Sequence, residues 1–138
     1  MIDPEKYDIL GRRKDRPLKP KQPKQLKVYS ALSLWKSLYA QIFLHRARKF
    51  HENTNIDFDQ FMILCSANCH YCDSRPINRH TVNNASNYIM YNGLDRVDNN
   101  VGYLLSNVVT ACHVCNYMKR NTNKKDFINQ CKQIASRF

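Results

Sequence analysis

The chain has 138 residues, with 22 lysines and arginines against 11 aspartates and glutamates, which gives a formal net charge of +11 at pH 7. This length favours a single domain with a modest core that a structural metal ion would help to stabilise, and the charge predicts a polyanionic partner, nucleic acid before an acidic membrane face. No apolar run reaches the roughly 18 residues of a membrane span and no signal peptide pattern opens the sequence, so we expect a soluble, intracellular protein without a membrane partner.

Residues 1–27 form a polar, proline-rich stretch in which the spacing of the prolines prevents a helix. The stretch holds nine of the 22 basic residues and four of the 11 acidic ones. Acidic residues here argue against an organellar transit peptide. Two interpretations stay open, a solvated disordered tail and an arm that lies along phosphates. In the second, the predicted nucleic-acid contacts are Arg12, Arg13, Lys14 and Arg16.

Residues 28–66 carry apolar side chains at helical spacing, which predicts two helices. The first covers about residues 28–50, and its basic end complements the helix dipole. Asp57 and Gln60 then predict a capping box for a shorter second helix, in which Cys65 is a small core residue. The predicted apolar stripe of the first helix consists of Ala31, Trp35, Leu38 and Ile42, with Leu32, Tyr39 and Phe43 beside it.

Two Cys-x-x-Cys pairs, Cys69 with Cys72 and Cys112 with Cys115, have 39 residues between them. Four thiolates in this pattern are typical of a structural Zn²⁺ site with tetrahedral geometry. The gap is longer than the roughly 15–20 residues of a simple zinc ribbon, so we expect a loop and a hairpin inserted between the pairs. The alternatives are a redox pair, which is typical of a βαβ context, and disulfides, which are typical of secretion. The sequence shows neither context, and zinc is favoured.

The stretch from residue 91 to residue 119 predicts a β-hairpin that runs into a helix. Residues 93–98 form a short apolar strand, residues 99–102 have turn chemistry, and Val108 with Val109 begins the return strand. Asn116 then falls on the first turn of a helix. The polar stretch before the hairpin, residues 75–86, is predicted to be irregular, with His80 as a loop histidine.

The C-terminal residues predict a last helix over positions 123–138, capped by Asn123 or Thr122. Cys131 lies on its apolar stripe with Phe127, Ile134 and Phe138, and is interpreted as a core cysteine. Four cations flank the junction that precedes this helix and are further predicted nucleic-acid contacts. They are Lys119, Arg120, Lys124 and Lys125.

The hairpin and the second cysteine pair resemble the ββα-metal core of HNH endonucleases, a treble-clef-like zinc fold, and in particular the small phage-type members. These carry Asp-Arg-x-Asp-Asn, then Gly-Tyr, Asn-Val-Val and Cys-x-x-Cys-Asn-x-x-x-Lys. The matching residues here are Asp95, Arg96, Asp98, Asn99, Gly102, Tyr103, Asn107, Val108, Val109, Cys112, Cys115, Asn116 and, one position early, Lys119.

The resemblance implies an α+β fold: a small zinc-stabilised ββα-metal core with flanking helices and a basic, extended N-terminal tail. The tail covers residues 1–27 and the HNH-like domain residues 28–138, divided into helices over 28–66, the zinc core over 67–120 and the last helix over 123–138. For a phage-type protein the expected compartment is the cytoplasm of a bacterial or phage-infected host, with an organelle as the alternative.

The resemblance also implies the site. A divalent ion, Mg²⁺ or Mn²⁺, would be held by Asp95 and Asn116, and both offer oxygen ligands that suit such an ion. Asn107 would fasten the hairpin loop with its side-chain amide. Arg96 stands where most HNH enzymes have the histidine that deprotonates water, and a guanidinium cannot accept that proton. Arg96 would instead bind phosphate, and water activation would fall to the metal, to His80 or to another histidine.

Two functions follow from this pattern. The favoured one is a metal-dependent endonuclease that hydrolyses phosphodiester bonds in DNA, with Asp95, Arg96, Asn107 and Asn116 as its site. The alternative is a catalytically inactive protein of the same fold that binds DNA or structured RNA, within a ribonucleoprotein complex. The joint retention of Asp95, Asn107 and Asn116 favours the first function. Arg96 and the basic tail favour the second.

Overall fold

The computed structural model describes residues 25–49 and 53–138. The predicted contacts Arg12, Arg13, Lys14 and Arg16 lie outside the described residues. Lys27, the last residue of the predicted tail, forms an isolated parallel β-bridge with Ala85. Its backbone N–H donates to Asn84 O at 2.6 Å, and its carbonyl accepts from Ser86 N at 2.9 Å. The backbone at Lys27 is therefore hydrogen-bonded to the segment that joins the first two strands.

A long helical run opens the described domain and contains a π-helical segment. Its parts are α1 (Ala31–Leu38), the π-helical segment (Tyr39–Leu44) and α2 (His45–Lys49). Ser30 caps the run by accepting a hydrogen bond from Ser33 N. The buried side chains are Leu34, Leu38, Phe43 and Ala47. Their spacing lengthens from four residues to five across the π segment, as the wider turn requires.

This spacing corrects the predicted apolar stripe. Ala31 and Leu32 are exposed, and Leu34 takes the core position that the prediction gave to them. Leu38 and Phe43 are buried as predicted. In α1 the face that packs on the core carries Leu34 and Leu38, and beyond Leu38 the π segment changes the phase of the helix so that Phe43 continues this face.

Helix α3 (Phe58–Ser66) packs beside this run and begins at the predicted capping box. Gln60 N donates to Asp57 Oδ1 at 2.8 Å, and Asp57 N donates to Gln60 Oε1 at 3.1 Å. Phe61 and Cys65 are buried, which confirms Cys65 as a core residue. The core continues from these helices into the second hairpin through Leu94, Tyr103 and Val108.

Two antiparallel hairpins form the β part of this α+β fold. β1 (Asn78–His80) pairs with β2 (Ile89–Tyr91), and β3 (Gly93–Arg96) pairs with β4 (Val108–Ala111). The β3–β4 hairpin is confirmed, with Asp95 opposite Val109. The β1–β2 hairpin was not predicted, because three polar residues, Asn-Arg-His, carry no apolar alternation. Backbone pairing and the burial of His80 hold that strand in place.

The loop between β3 and β4 is fastened by Asn107, as the prediction required. Asn107 Oδ1 accepts from Asp98 N at 2.9 Å, and Asn107 Nδ2 donates to three loop carbonyl oxygens at 2.9–3.2 Å. Gly102 lies against the backbone of Asn53, where an added Cβ would be 2.2 Å from Asn53 O. The close approach excludes any side chain at this position and joins the loop to the segment before α3.

Two helices complete the described chain. α4 (His113–Lys119) follows β4 directly, and α5 (Lys124–Ala135) is capped by Asn123, whose Oδ1 accepts from Asp126 N at 2.9 Å. Phe127 is buried, but Ile134 and Phe138 are exposed and Cys131 is only half-buried. The predicted apolar stripe of α5 is therefore wrong beyond its first turn. No helix in the described ranges is both long and apolar enough to cross a bilayer.

Candidate functional site

The four cysteines of the two Cys-x-x-Cys pairs converge, and their sulfur atoms all lie within 4.8 Å of one another. The first pair sits in a tight turn that is tied to β4, because His70 N donates to Thr110 O at 2.8 Å. In the second pair Cys112 is the N-cap of α4 and accepts from Cys115 N. The prediction that the two pairs come together in one site is confirmed. This group of thiols can hold a metal ion such as Zn²⁺.

The thiols of the cluster differ in acidity. The side chain and the backbone of Ser74 lower the pKa of Cys72 to about 6. Burial, followed by the neighbouring sulfur atoms, raises the pKa of Cys115. Four thiolates this close repel one another, so a divalent cation is needed to ionise all four together.

Asp95 lies on β3 in the centre of a buried hydrogen-bond network. Its Oδ2 accepts from the Tyr71 hydroxyl at 2.6 Å, and its Oδ1 accepts from Lys119 Nζ at 3.2 Å. Lys119 Nζ also donates to Arg96 O at 2.9 Å. Tyr71 belongs to the first cysteine pair, so this network connects the cysteine cluster, β3 and the end of α4. The network fixes the position of the Asp95 carboxylate.

Burial of Lys119 corrects one predicted nucleic-acid contact. Its side chain is 0% exposed and that of Asp95 is 4% exposed. An ammonium group in this position is committed to the interior and cannot reach a phosphate at the surface. The sequence placed Lys119 with its basic neighbours, but the helical period of α4 turns it towards β3.

An open cleft of about 380 Å³ lies between β3 and α4. Three predicted site residues line it together, namely Asp95, Arg96 and Asn116. Arg96 also lies over the Tyr103 ring, with its guanidinium carbon 5.3 Å from the ring centroid. Asn107 is not part of the lining and acts on the loop behind it. The remaining lining residues are Leu94, Asn99, Tyr103, His113, Tyr117, Arg120 and Asn121.

His113 is the functional candidate that the sequence analysis did not single out. It follows Cys112 and stands three residues before Asn116, so both side chains lie on one face of α4 and line the cleft. His113 is exposed. His80, the histidine named from the sequence, is buried with its Nε2 3.2 Å from Ser37 Oγ and does not line this cleft. Burial also lowers the pKa of His80. The i to i+3 spacing with Asn116 was the available signal for His113.

The other predicted cations of this region, Arg120, Lys124 and Lys125, lie in two different parts of the surface. Arg120 lines the cleft, where its guanidinium carbon lies 5.1 Å from the Tyr117 ring centroid. Its φ is 48°, a left-handed conformation that a non-glycine residue adopts at a cost. Lys124 and Lys125 lie instead along a shallow apolar depression beside Val97 and Ile128. The structure brings Arg120 to the cleft and leaves the two lysines at the start of α5.

The donor set of the cleft suits a weakly held divalent ion. It combines the Asp95 carboxylate, the Asn116 amide and the His113 imidazole, and each Asp95 oxygen keeps a lone pair beyond its hydrogen bond. Mg²⁺ commonly takes one or two carboxylates and completes its shell with water and substrate phosphate. The ion pair with Lys119 reduces the charge that Asp95 offers, so substrate oxygens would supply much of the affinity.

Comparison with known proteins identifies the fold. No protein-family model matches the chain. A stretch of 79 residues is 43% identical to the uncharacterized protein R423 of Acanthamoeba polyphaga mimivirus, and it covers 57% of this chain but 13% of that protein. The chain thus spans a small part of this relative. A solved structure of the rare-cutting HNH restriction endonuclease PacI matches over 90% of this chain and 91% of that one, with a TM-score of 0.51 and 18% identity. This match and the cysteine cluster confirm an HNH-like fold.

Proposed function

We propose that the chain is an HNH-type endonuclease that hydrolyses phosphodiester bonds in DNA with the help of Mg²⁺ or Mn²⁺. The observation that carries the proposal is the single cleft in which Asp95, Arg96, His113 and Asn116 meet. A carboxylate, an amide, an imidazole and a guanidinium are the groups that phosphodiester hydrolysis needs around one phosphate.

In this proposal Asp95 and Asn116 hold the divalent ion, which when bound supplies charge stabilisation to the phosphate and assistance to the leaving oxygen. The hydrogen bonds from Tyr71 and Lys119 keep the Asp95 carboxylate in one orientation. Asn116 is held on α4, whose start is fixed by Cys112 of the zinc cluster. Zn²⁺ thus has a structural role, and it orients the helix that carries half of the site.

His113 takes the role of general base that Arg96 cannot fill. It is the one histidine among the lining residues of the cleft, and imidazole is the group that most often accepts a proton from water in enzymes. Arg96 and Arg120 bind the phosphate and stabilise the charge that develops on it. The strained backbone of Arg120 supports this role, since glycine would relieve the strain but would remove the guanidinium.

The test is a plasmid-nicking assay with zinc-loaded protein in Mg²⁺, in Mn²⁺ and in a chelator that leaves the structural zinc in place. We expect cleavage only with the added ion, and a loss of roughly 10²- to 10⁴-fold in rate for His113→Gln. His70→Gln is the matched control, because His70 occupies the same place in the first cysteine pair and does not line the cleft. Equal rates for the two variants would remove His113 from the mechanism.

A second function is favoured by one observation. Both Asp95 oxygens accept hydrogen bonds from buried or half-buried protein groups, which weakens Asp95 as a metal ligand. We propose as the alternative a non-catalytic protein that binds DNA or structured RNA through the same cleft. Its expected signature is salt-dependent binding to plasmid with no nicking in either metal ion.

A further inference from the structure

A second cavity of about 600 Å³ adjoins the cleft. The two share Arg96, Asn99 and Asn121, so they form one continuous surface with Arg96 at the border. The volume is typical of a pocket for a small organic group and is far more than one phosphate needs. The further lining residues are Val97, Asp98, Asn100 and Asn123.

The chemistry of this cavity differs from that of the cleft. Asn123 is committed to capping α5, through its bonds with Asp126. The side chains of Asn99, Asn100 and Asn121, in contrast, make no hydrogen bond within the part of the chain that the structure describes. Three amides with unused donors and acceptors therefore line one cavity. None of them has the structural role that the Asn107 amide has in the loop.

Asp98 determines which ligand these amides suit. Asp98 lines the cavity together with Arg96, the single cation of the lining, and its Oδ1 accepts from Asn100 N at 2.9 Å, which leaves Oδ2 to accept from a ligand. A carboxylate repels a phosphate and accepts from an amino group, and asparagine amides pair with the edge of adenine. The cavity is thus matched to a neutral, planar group with an exocyclic amino group. Adenine, cytosine and guanine have an exocyclic amino group, and adenine is the base whose edge pairs with an asparagine amide through two hydrogen bonds.

We infer that this cavity binds an unpaired nucleobase with an exocyclic amino group, adenine above all, next to the phosphate that Arg96 holds. The inference rests on the proposed function, since it assumes that nucleic acid occupies the cleft. The base has to be unpaired because a base inside the duplex stack cannot enter a cavity. The substrate class is therefore nucleic acid with an unpaired nucleotide beside the site, such as a bulge or a single-stranded junction.

The test uses three DNA duplexes that differ in one bulged position, which is adenine, thymine or an abasic residue. Affinities of the zinc-loaded protein are measured by fluorescence anisotropy without added Mg²⁺ or Mn²⁺, so that no substrate is cleaved. We expect the adenine bulge to bind roughly 5- to 100-fold more tightly than the abasic one, with thymine close to abasic. Asn99→Ala and Asn121→Ala should each reduce this preference, measured as the ratio of the affinities for the adenine bulge and the abasic one.

Asn129→Ala is the matched control, because Asn129 is an exposed amide on α5 outside the cavity. It should keep the full preference. Asn121 is exposed in the connection before α5, so its variant remains informative if Asn99→Ala disturbs the turn. Melting temperatures of all variants report on folding.

Equal wild-type affinity for the three duplexes would overturn the inference, and so would a preference that survives in both asparagine variants. Neither result bears on the proposed nuclease activity, which the nicking assay tests separately. If the protein prefers the adenine bulge but never nicks DNA, base binding in the cavity is supported and the proposed nuclease activity is overturned. Failure to bind any of the three duplexes would overturn both.

Discussion

The two sides of strand β3 differ in every physical respect. Behind the strand, Tyr71 and Lys119 hold the carboxylate of Asp95, a residue that also borders the cleft, and Tyr71 lies within the first cysteine pair. In front of it, the cleft is open and presents Arg96, His113 and Asn116 to solvent. The first side is closed to solvent, and the second exposes polar and charged side chains along an open cleft. We infer that the buried side mainly holds the fold, and the function proposed above belongs to the open side.

Variants on the buried side should therefore unfold the protein, and the largest effect is expected for the cysteine cluster, which we expect to hold zinc. Cys69→Ser removes one of four thiolates, and because zinc binding and folding are coupled it should abolish the cooperative thermal transition and the bound zinc. Cys131→Ser is the control, since Cys131 is half-buried on α5 outside the cluster. Circular dichroism and metal analysis measure both effects. A folded Cys69→Ser protein of normal stability would show that the cluster is dispensable.

A smaller but still large effect is expected for Lys119→Met. Removing the ammonium leaves the buried Asp95 carboxylate without its ionic partner, which should lower the free energy of unfolding by about 3–5 kcal/mol. Chemical denaturation measures this change, with Lys132→Met on the exposed face of α5 as the control. Adding Asp95→Asn to Lys119→Met should restore part of the stability, because the unpaired charge is removed. If Lys119→Met and Lys132→Met lower the free energy of unfolding by the same amount, the ion pair does not stabilise the fold.

Much of the buried side was predictable from the sequence. The cysteine spacing, the capping box at Asp57 and the β3–β4 hairpin each depend on local patterns that tertiary contacts then reinforce. The phase change in the first helix was not predictable, since nothing in its composition marks a π-helical segment. The β1–β2 hairpin was not predictable either, because the residues of β1 are polar and the pairing of the two strands depends on the rest of the domain.

The open side was predictable only in part. Motif resemblance placed Asp95, Arg96 and Asn116 together, and the structure has them in one cleft. It did not indicate that Lys119 is turned inward, because the side of a short helix that is buried depends on what packs against it. The sequence analysis names His80 or another histidine as the base, although the spacing of His113 and Asn116 already places these two residues on one face of a helix. A residue inside a Cys-x-x-Cys pair is easily taken for part of the metal site alone.

The central claim is that chemistry takes place on the open side, and Asn116→Ala tests it most directly when nicking and thermal melting are measured on the same preparation. Asn116 is half-buried, and the only hydrogen bond that its side chain makes within the described residues is a long one, 3.5 Å, from Nδ2 to Leu94 O. Val114→Ala, on the exposed face of the same helix, is the control. We predict a loss of at least about 10²-fold in metal-dependent nicking, with zinc content and melting temperature close to those of the control. Wild-type nicking by Asn116→Ala would contradict the claim, as would a loss of nicking that only accompanies unfolding.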